Sequence, residues 1–383
     1  MKRDEPPPRS ICFVGIENLL VLAPEYRQHG IGGAQLQQVL LAKALAKRGF
    51  SVSTVVADHG QPEAAQWHGV KTHKAYRFSE GIPGVRFIYP RATKVWSAMK
   101  RANADIYYCS CADYLPGVLA LFAQLHRRKT VFRIAHDTDC RPNELMIPNW
   151  RSKVLYRYGL PRMDLILAQT ASQQAEMLKN FHRPSHVIPS LVELSSENRS
   201  FTDRDIDVLW VSNIRPFKRP NLLLDVAALL PGFRFHMVGG TQPGALEYFD
   251  DIRRRAASIP NVIFHGPQSY DEVERWLART KLFVNTSESE GFPNTYLQAW
   301  ARGTPVVGFF DPDGVIGRES LGRAVHSVED MRSAIQELLS SEASWSAASA
   351  RCIRYVGATH GRNAVDSYAE ALQSLSDSQP ALA

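Results

Sequence analysis

Through most of the chain, short apolar runs alternate with longer segments whose apolar positions recur at helical spacing. The first run, SICFVGI (10–16), is followed by a loop ending in HGIGGAQ. Next comes QLQQVLLAKALAKRGF, in which Leu41, Ala42, Leu45 and Ala46 share one side, with Val39 at its edge. Lys43 and Lys47 lie off that side, although Leu36 and Leu40 share their face, so the amphipathic pattern is imperfect. Gly49 stops this helix, and the β-branched stretch SVSTVVAD (51–58) predicts a second strand. Such a β-α-β opening predicts a parallel sheet. Further strands are expected at 85–89, 106–109, 130–135, 165–168 and 186–188, with helices between most of them, clearest at 115–127 and 171–180.

Around 189–202 the chain turns polar and Ser-rich, as a linker would. A second series follows: the strands DVLWVSNI, FRFHMVGG, NVIFHG, KLFVNTS and TPVVGF, with helices at 220–230, 245–257, 270–280 and from 294. Near-continuous apolar strands are what a parallel sheet covered on both faces requires. Helices at 328–339, 347–356 and 364–375 and a loose tail, 376–383, complete the pattern. The 383 residues leave room for two domains. The expected fold is α/β: two Rossmann-like doubly wound parallel-sheet domains, 1–195 and 196–363, facing across a cleft. Ligands of such sheets bind where strands end and helices begin.

Composition narrows the setting. The five cysteines form no CxxC pair and no zinc-ligand spacing, which argues against a structural metal and fits a reducing compartment. The apolar stretch at 114–125 contains Pro116 and Gly117 and is too short to span a bilayer. The opening MKRDEPPPRS lacks the apolar core of a secretory signal. A cytoplasmic protein is therefore expected. Charge is uneven: residues 1–200 hold 27 Lys and Arg against 16 Asp and Glu, a net of +11, and residues 201–383 hold 18 against 22, a net of −4. The basic half suits an anionic partner or, equally, a solvated surface.

Four strand-to-helix junctions carry candidate chemistry. His29-Gly30-Ile31-Gly32-Gly33-Ala34-Gln35 opens the first helix, where glycines permit close backbone approach and the helix start favours a diphosphate. A competing NAD fingerprint, with Asp58 as ribose ligand, is broken: Gln35 holds its sixth position and the loop after Ile16 is too long. At Asn213–Pro220, Arg215, Lys218 and Arg219 could clamp phosphate oxygens, or form a solvated basic turn. In Ser287–Trp300 a strand runs into Glu290, a Gly/Pro turn (Gly291, Phe292, Pro293) and a helix beginning with Asn294 and Thr295 and carrying Gln298. Glu290 can accept hydrogen bonds from sugar hydroxyls. His136 follows an apolar strand in His136-Asp137-Thr138-Asp139. Asp-x-Asp pairs also occur at 203/205, 205/207 and 311/313, and four such pairs among 38 acidic residues argue for coincidence rather than a metal site.

Together these junctions resemble the GT-B-fold retaining glycosyltransferases of family four, in particular bacterial members that build surface or exported polysaccharides. The run EGFPNTYLQAWARGTPVVG carries the resemblance most specifically. The family's glycine loop corresponds to Gly32 and Gly33, its basic loop to the Lys218 region, and its Glu-x7-Glu element to Glu290 through Gln298. Two positions depart from the pattern. Gln298 replaces the second glutamate, which holds the ribose in the family, and Asn213 stands where an arginine is usual, Arg215 being a substitute from another position.

The resemblance implies a hexosyltransferase moving a sugar from a UDP- or GDP-sugar to a saccharide or lipid-linked acceptor in surface polysaccharide biosynthesis, without metal or other cofactor. His136, Lys218 and Glu290 would be catalytic; Gly32, Gly33, Arg215, Gly291, Phe292, Asn294, Thr295 and Gln298 would bind the donor. The last segment, about 364–383, would return to the N-terminal domain. The aromatic and basic run Trp150–Tyr158 is a candidate contact with an anionic membrane at the inner face of the plasma membrane. A GT-B nucleotide-sugar epimerase is the alternative, and an NAD-linked oxidoreductase a more distant one. No nucleic-acid-binding motif is visible.

Overall fold

The computed structural model describes residues 10–26, 32–195, 199–241 and 245–377. His29, Gly30 and Ile31 of the first motif, the opening 1–9, residues 196–198 of the expected linker and the tail beyond 377 lie outside them. The chain divides into two compact units, whose described residues are 10–26, 32–189 and 364–377 in one and 190–195, 199–241 and 245–363 in the other.

The first unit contains β1 (Ser10–Val14), α1 (Leu19–Leu22), α2 (Gly33–Lys47), β2 (Ser51–Val56), β3 (Gln66–Trp67), β4 (Val70–Lys74), α3 (Thr93–Ala102), β5 (Ile106–Ser110) and α4 (Leu115–His126). It continues with β6 (Lys129–Arg133), α5 (Trp150–Gly159), β7 (Leu165–Ala168), α6 (Ala171–Phe181) and β8 (His186–Val187). The sheet order is β3-β4-β2-β1-β5-β6-β7-β8, parallel throughout except for the short β3–β4 pair. Strand order therefore reverses between β1 and β5.

The second unit holds β9 (Ile206–Val211), α7 (Pro220–Leu229), β10 (Phe235–Val238), α8 (Leu246–Ala257), β11 (Val262–Phe264), α9 (Tyr270–Ala278), β12 (Thr280–Asn285) and α10 (Asn294–Trp300). After these come β13 (Val306–Gly308), α11 (Val315–Arg318), β14 (Gly322–Ala324), α12 (Val328–Ser340) and α13 (Glu342–Thr359). Its order is β11-β10-β9-β12-β13-β14, with every pairing parallel. Here the reversal falls between β9 and β12. Alternate strand residues feed two cores: Val208, Trp210, Leu282 and Val284 pack to one side, Leu209 and Phe283 to the other. Burial on both faces is why these strands are apolar at consecutive positions.

The final helix, α14 (Arg362–Asp377), belongs to the first unit, where Tyr368 is buried against Arg133 and Asp366 pairs with Arg48.

One expected strand is absent. Residues 85–89 run into an irregular helical turn (Phe87–Ala92) that leads into α3. The place beside β2 is taken by β4, whose polar sequence VKTHK carries little strand signal, and Pro90 offers no N–H to a ladder. The helix expected at 347–356 is longer, since Ser341 caps it through the Ser344 N–H and starts it at Glu342.

Candidate active site

Adjacent parallel strands whose connections leave in opposite directions open a crevice at their carboxyl ends. In the second unit that place is between β9 and β12, from which the segments 212–219 and 286–293 emerge. The two segments are laced together. The Glu288 N–H donates to the Phe217 carbonyl (3.0 Å), Thr286 Oγ1 donates to the Lys218 carbonyl (2.7 Å), and Trp210 Nε1 donates to Thr286 Oγ1 (2.9 Å).

Arg219 completes the lacing. Its Nε donates to the Thr286 carbonyl (2.8 Å), and its guanidinium lies 4.8 Å from the centre of the Phe309 ring. Of the three cations expected to clamp phosphate, this one is committed to holding the loops. Arg215 and Lys218 remain, flanking the Phe217 ring at 5.8 and 5.0 Å.

Lys218 Nζ is paired with Glu290 Oε1, both side chains being mostly buried. Two residues given separate roles by sequence, one for phosphate and one for sugar, thus meet in one ion pair 72 positions apart in the chain. Arg215 Nε and Ser289 Oγ are shielded from solvent and have no hydrogen-bond partner among the described residues. Burial holds the Arg215 guanidinium below its usual range, with Glu290 opposing that shift. Unpaired buried donors beside a cation pair are what an absent anionic ligand would satisfy.

Gln298 is held by the neighbouring helix α9. It is only 5% exposed, and its Nε2 donates to Glu274 Oε1 on α9 at 2.6 Å. Glu274 also pairs with Arg302 and hydrogen-bonds Tyr270; burial raises its carboxyl above the usual range. The charge missing at position 298 therefore sits across the helix pair, in a residue that sequence inspection did not single out. Glu274 holds the amide nitrogen of Gln298, and Tyr270 also hydrogen-bonds this side chain. Gln298→Glu is expected to set two carboxylates in contact, raising the donor KM about tenfold and lowering the melting temperature, while Glu274→Gln in the same chain restores both. Donor kinetics with thermal melts check this; an unchanged single variant would show that Glu274 does not set the Gln298 orientation.

Phe292 turns into the core against Trp300 and His360 and is 9% exposed, so its contribution to a ligand site is through packing. Gly291, Asn294 and Thr295 form the turn and first residues of α10.

His136, Gly32 and Gly33 belong to the first unit. Gly32 is extended (φ −76°) and starts α2, so no left-handed turn requires a glycine there, and its near neighbour is the mobile end of the Gln35 side chain. His136 Nδ1 accepts from the Thr138 N–H at 3.2 Å, starting a tight turn after β6. In that turn Asp139 Oδ2 accepts from the Ala135 and His136 N–H groups (2.9 and 3.1 Å), and Gln173 donates to Asp137 Oδ1 (2.9 Å). Burial pushes both aspartates up to about 6. Among the described residues no three His, Cys, Asp or Glu side chains gather as a metal site. Asp58, the NAD-type candidate, is tied to Arg77 (3.0 Å) and Lys74 (3.5 Å).

Sequence inspection also passed over Asp113. It follows β5 at the first unit's reversal point and accepts from the Leu115 N–H at 2.7 Å. Burial, with Asp139 adding to it, pushes its carboxyl up to about 7. Only the strand order gives it a place at β1/β5; nothing in its local sequence does.

Comparison with known proteins agrees with this architecture. The family model "Glycosyltransferase Family 4" matches residues 31–196, and "Glycosyl transferases group 1" matches 205–341. The chain belongs to the family 4, group 1 glycosyltransferases. The D-inositol 3-phosphate glycosyltransferase of Mycolicibacterium smegmatis is 34% identical over 151 residues, 37% of this chain and 34% of the relative. That of Mycolicibacterium paratuberculosis is 34% identical over 167 residues, 41% and 37% of the two chains. The matched stretch thus spans about a third of the length of these relatives. In fold, the family member is similar to Anabaena Alr3699/HepE, solved in complex with UDP and glucose. There the TM-score is 0.73 at 16% identity, covering 96% of this chain and 100% of that one. It is also similar to WaaG, a glycosyltransferase involved in lipopolysaccharide biosynthesis, with TM-score 0.66 at 13% identity, covering 94% and 99%.

Proposed function

We propose that this glycosyltransferase moves a sugar from a UDP- or GDP-sugar to a saccharide or lipid-linked saccharide acceptor, with retention at the anomeric carbon, in surface polysaccharide biosynthesis. The observation that carries the reading is the set of anion-seeking donors at the β9/β12 reversal point: Lys218, Arg215 Nε and Ser289 Oγ. A nucleoside diphosphate entering there draws Lys218 from Glu290 and satisfies the orphaned donors. Glu290 is then released to accept from hydroxyls of the donor sugar. The UDP and glucose in the Anabaena protein and the names of the mycobacterial relatives point the same way.

In the reaction, the bond from the anomeric carbon to the β-phosphate oxygen breaks while the acceptor oxygen bonds to that carbon on the same face. The acceptor proton passes to the departing phosphate. Lys218 and Arg215 stabilise the charge that develops on the diphosphate, usually the largest single contribution in such reactions. They supply the positive charge that a divalent ion would otherwise provide, so activity is expected to persist in EDTA; loss with chelator and recovery with manganese would contradict this. Roles for His136, Gly32 and Gly33 rest on the family resemblance. The acceptor is assigned to the basic N-terminal unit, with the enzyme working at the cytoplasmic face of the plasma membrane.

The test is incubation of the purified protein with UDP- and GDP-sugars and a saccharide acceptor panel, the product's anomeric configuration being read by NMR. An α-linked product from an α-linked donor is expected. An isomerised sugar formed without acceptor would establish the epimerase instead.

A further inference from the structure

The first unit exposes apolar side chains in two segments. Ile82 and Trp150 are 75% and 70% exposed, and Val85, Ile88, Tyr89 and Val154 are each more than half exposed. A single exposed apolar side chain is ordinary, but six large ones on one surface are not. The two segments that carry them adjoin, for Arg151 Nη1 on the first turn of α5 donates to the Gly84 carbonyl at 3.4 Å. On α5, Trp150, Val154 and Arg157 follow one another at i, i+4 and i+7 on the outer face, while Ser152, Tyr156 and Gly159 are buried. The segment expected to be a strand at 85–89 is instead an outward-facing turn, which is what leaves Val85, Ile88 and Tyr89 free of the sheet.

Within the two stretches the charge has one sign. Residues 81–104 and 145–163 contain nine Lys and Arg and no Asp or Glu. Lys94 and Arg101 are paired with Glu80 and Glu63. Arg86, Arg151, Lys153 and Arg157 have no carboxylate partner among the described residues. Apolar tips framed by unpaired cations match a bilayer with anionic headgroups: the tips enter the acyl boundary, and the long basic side chains lie along it with their charges at the phosphates. A nucleic acid would engage the cations and leave Ile82 and Ile88 in water.

We propose that the 81–89 segment and the outer face of α5 form a docking surface for an anionic lipid bilayer. This gives the membrane contact of the proposed function a surface, and it rests on that reading only for its biological setting.

The test is co-sedimentation of the full-length protein with phosphatidylcholine vesicles prepared with and without phosphatidylglycerol, in the absence of donor and acceptor, so a negative result leaves sugar transfer untouched. Partitioning is expected to be about tenfold or more stronger onto the anionic vesicles and to weaken as salt rises. The double variant Ile82→Asp/Ile88→Asp is expected to lower it about tenfold with an unchanged melting temperature, both side chains being exposed. Equal partitioning onto both vesicles, or binding untouched by the double variant, would overturn the proposal. So would self-association in light scattering that the double variant abolishes, since the surface would then be a contact between copies of the chain.

Discussion

Lys218→Ala is expected to lower kcat/KM for the nucleotide-sugar donor by about 10²–10³-fold, the range found when one preorganised charge-stabilising group is removed. Position, not charge alone, sets the size of the effect. Lys218 follows the β9 end of the reversal point, its carbonyl is fixed by Thr286, and its ammonium sits in the Glu290 pair. The variant also leaves the mostly buried Glu290 without its cation, so a melting temperature must be measured alongside the kinetics. Adding Glu290→Gln to Lys218→Ala should recover stability without recovering turnover. Recovery of turnover would mean that the lysine serves only to neutralise Glu290.

The largest expected loss of stability comes from Arg204→Ala. Arg204 is 2% exposed, and its guanidinium donates to the Thr280 carbonyl (2.5 Å), Thr304 Oγ1 (2.7 Å) and the Arg302 carbonyl (2.5 Å) while lying 4.8 Å from the Trp345 ring centre. One side chain thus ties the chain entering β9 to the starts of β12 and β13 and to α13. Burial lowers its pKa to about 10, so it remains charged at neutral pH. Removing it strands buried acceptors at about 1–3 kcal/mol each and also deletes a packed side chain. A total loss of about 3–5 kcal/mol is expected, read as a fall in the urea midpoint. Arg204→Lys, which keeps the charge but not the fork, should fall between. A midpoint within experimental error of wild type would show that these bonds contribute nothing net.

Arg204 also marks a limit of what sequence shows. The polar, Ser-rich stretch after Pro189 reads as a linker, yet Ser190 and Leu191 are buried and Arg204 is a structural centre. Polarity reports solvent contact only where no buried partner waits, and Arg204's partners lie about 75 to 100 residues onward. Five strands of the second unit were legible because burial makes them largely apolar, but β14 was not, since three residues, GRA, carry no strand pattern. The strand β4 was not, since two of its buried positions in VKTHK are held by the polar Thr72 and His73.

The candidate site was legible in its pieces. Lys218, Arg215 and Glu290 announce themselves at strand ends, but their meeting depends on β9 lying beside β12, which only the topology supplies. Glu274 was invisible for the same reason: on an amphipathic helix it looks like a solvated acid, and its role appears only when Gln298 and Arg302 are seen around it.

Nucleoside diphosphate binding at the β9/β12 crevice is tested by a thermal-shift comparison of wild type and Lys218→Ala with UDP, GDP, ADP and NAD. A ligand bound only by the folded state at 100 times its Kd stabilises by about 2.7 kcal/mol, well within reach of such a measurement. UDP or GDP is expected to raise the melting temperature of the wild type, and the shift is expected to be largely lost in Lys218→Ala. Stabilisation by NAD alone, or an equal nucleotide shift in both proteins, would contradict this.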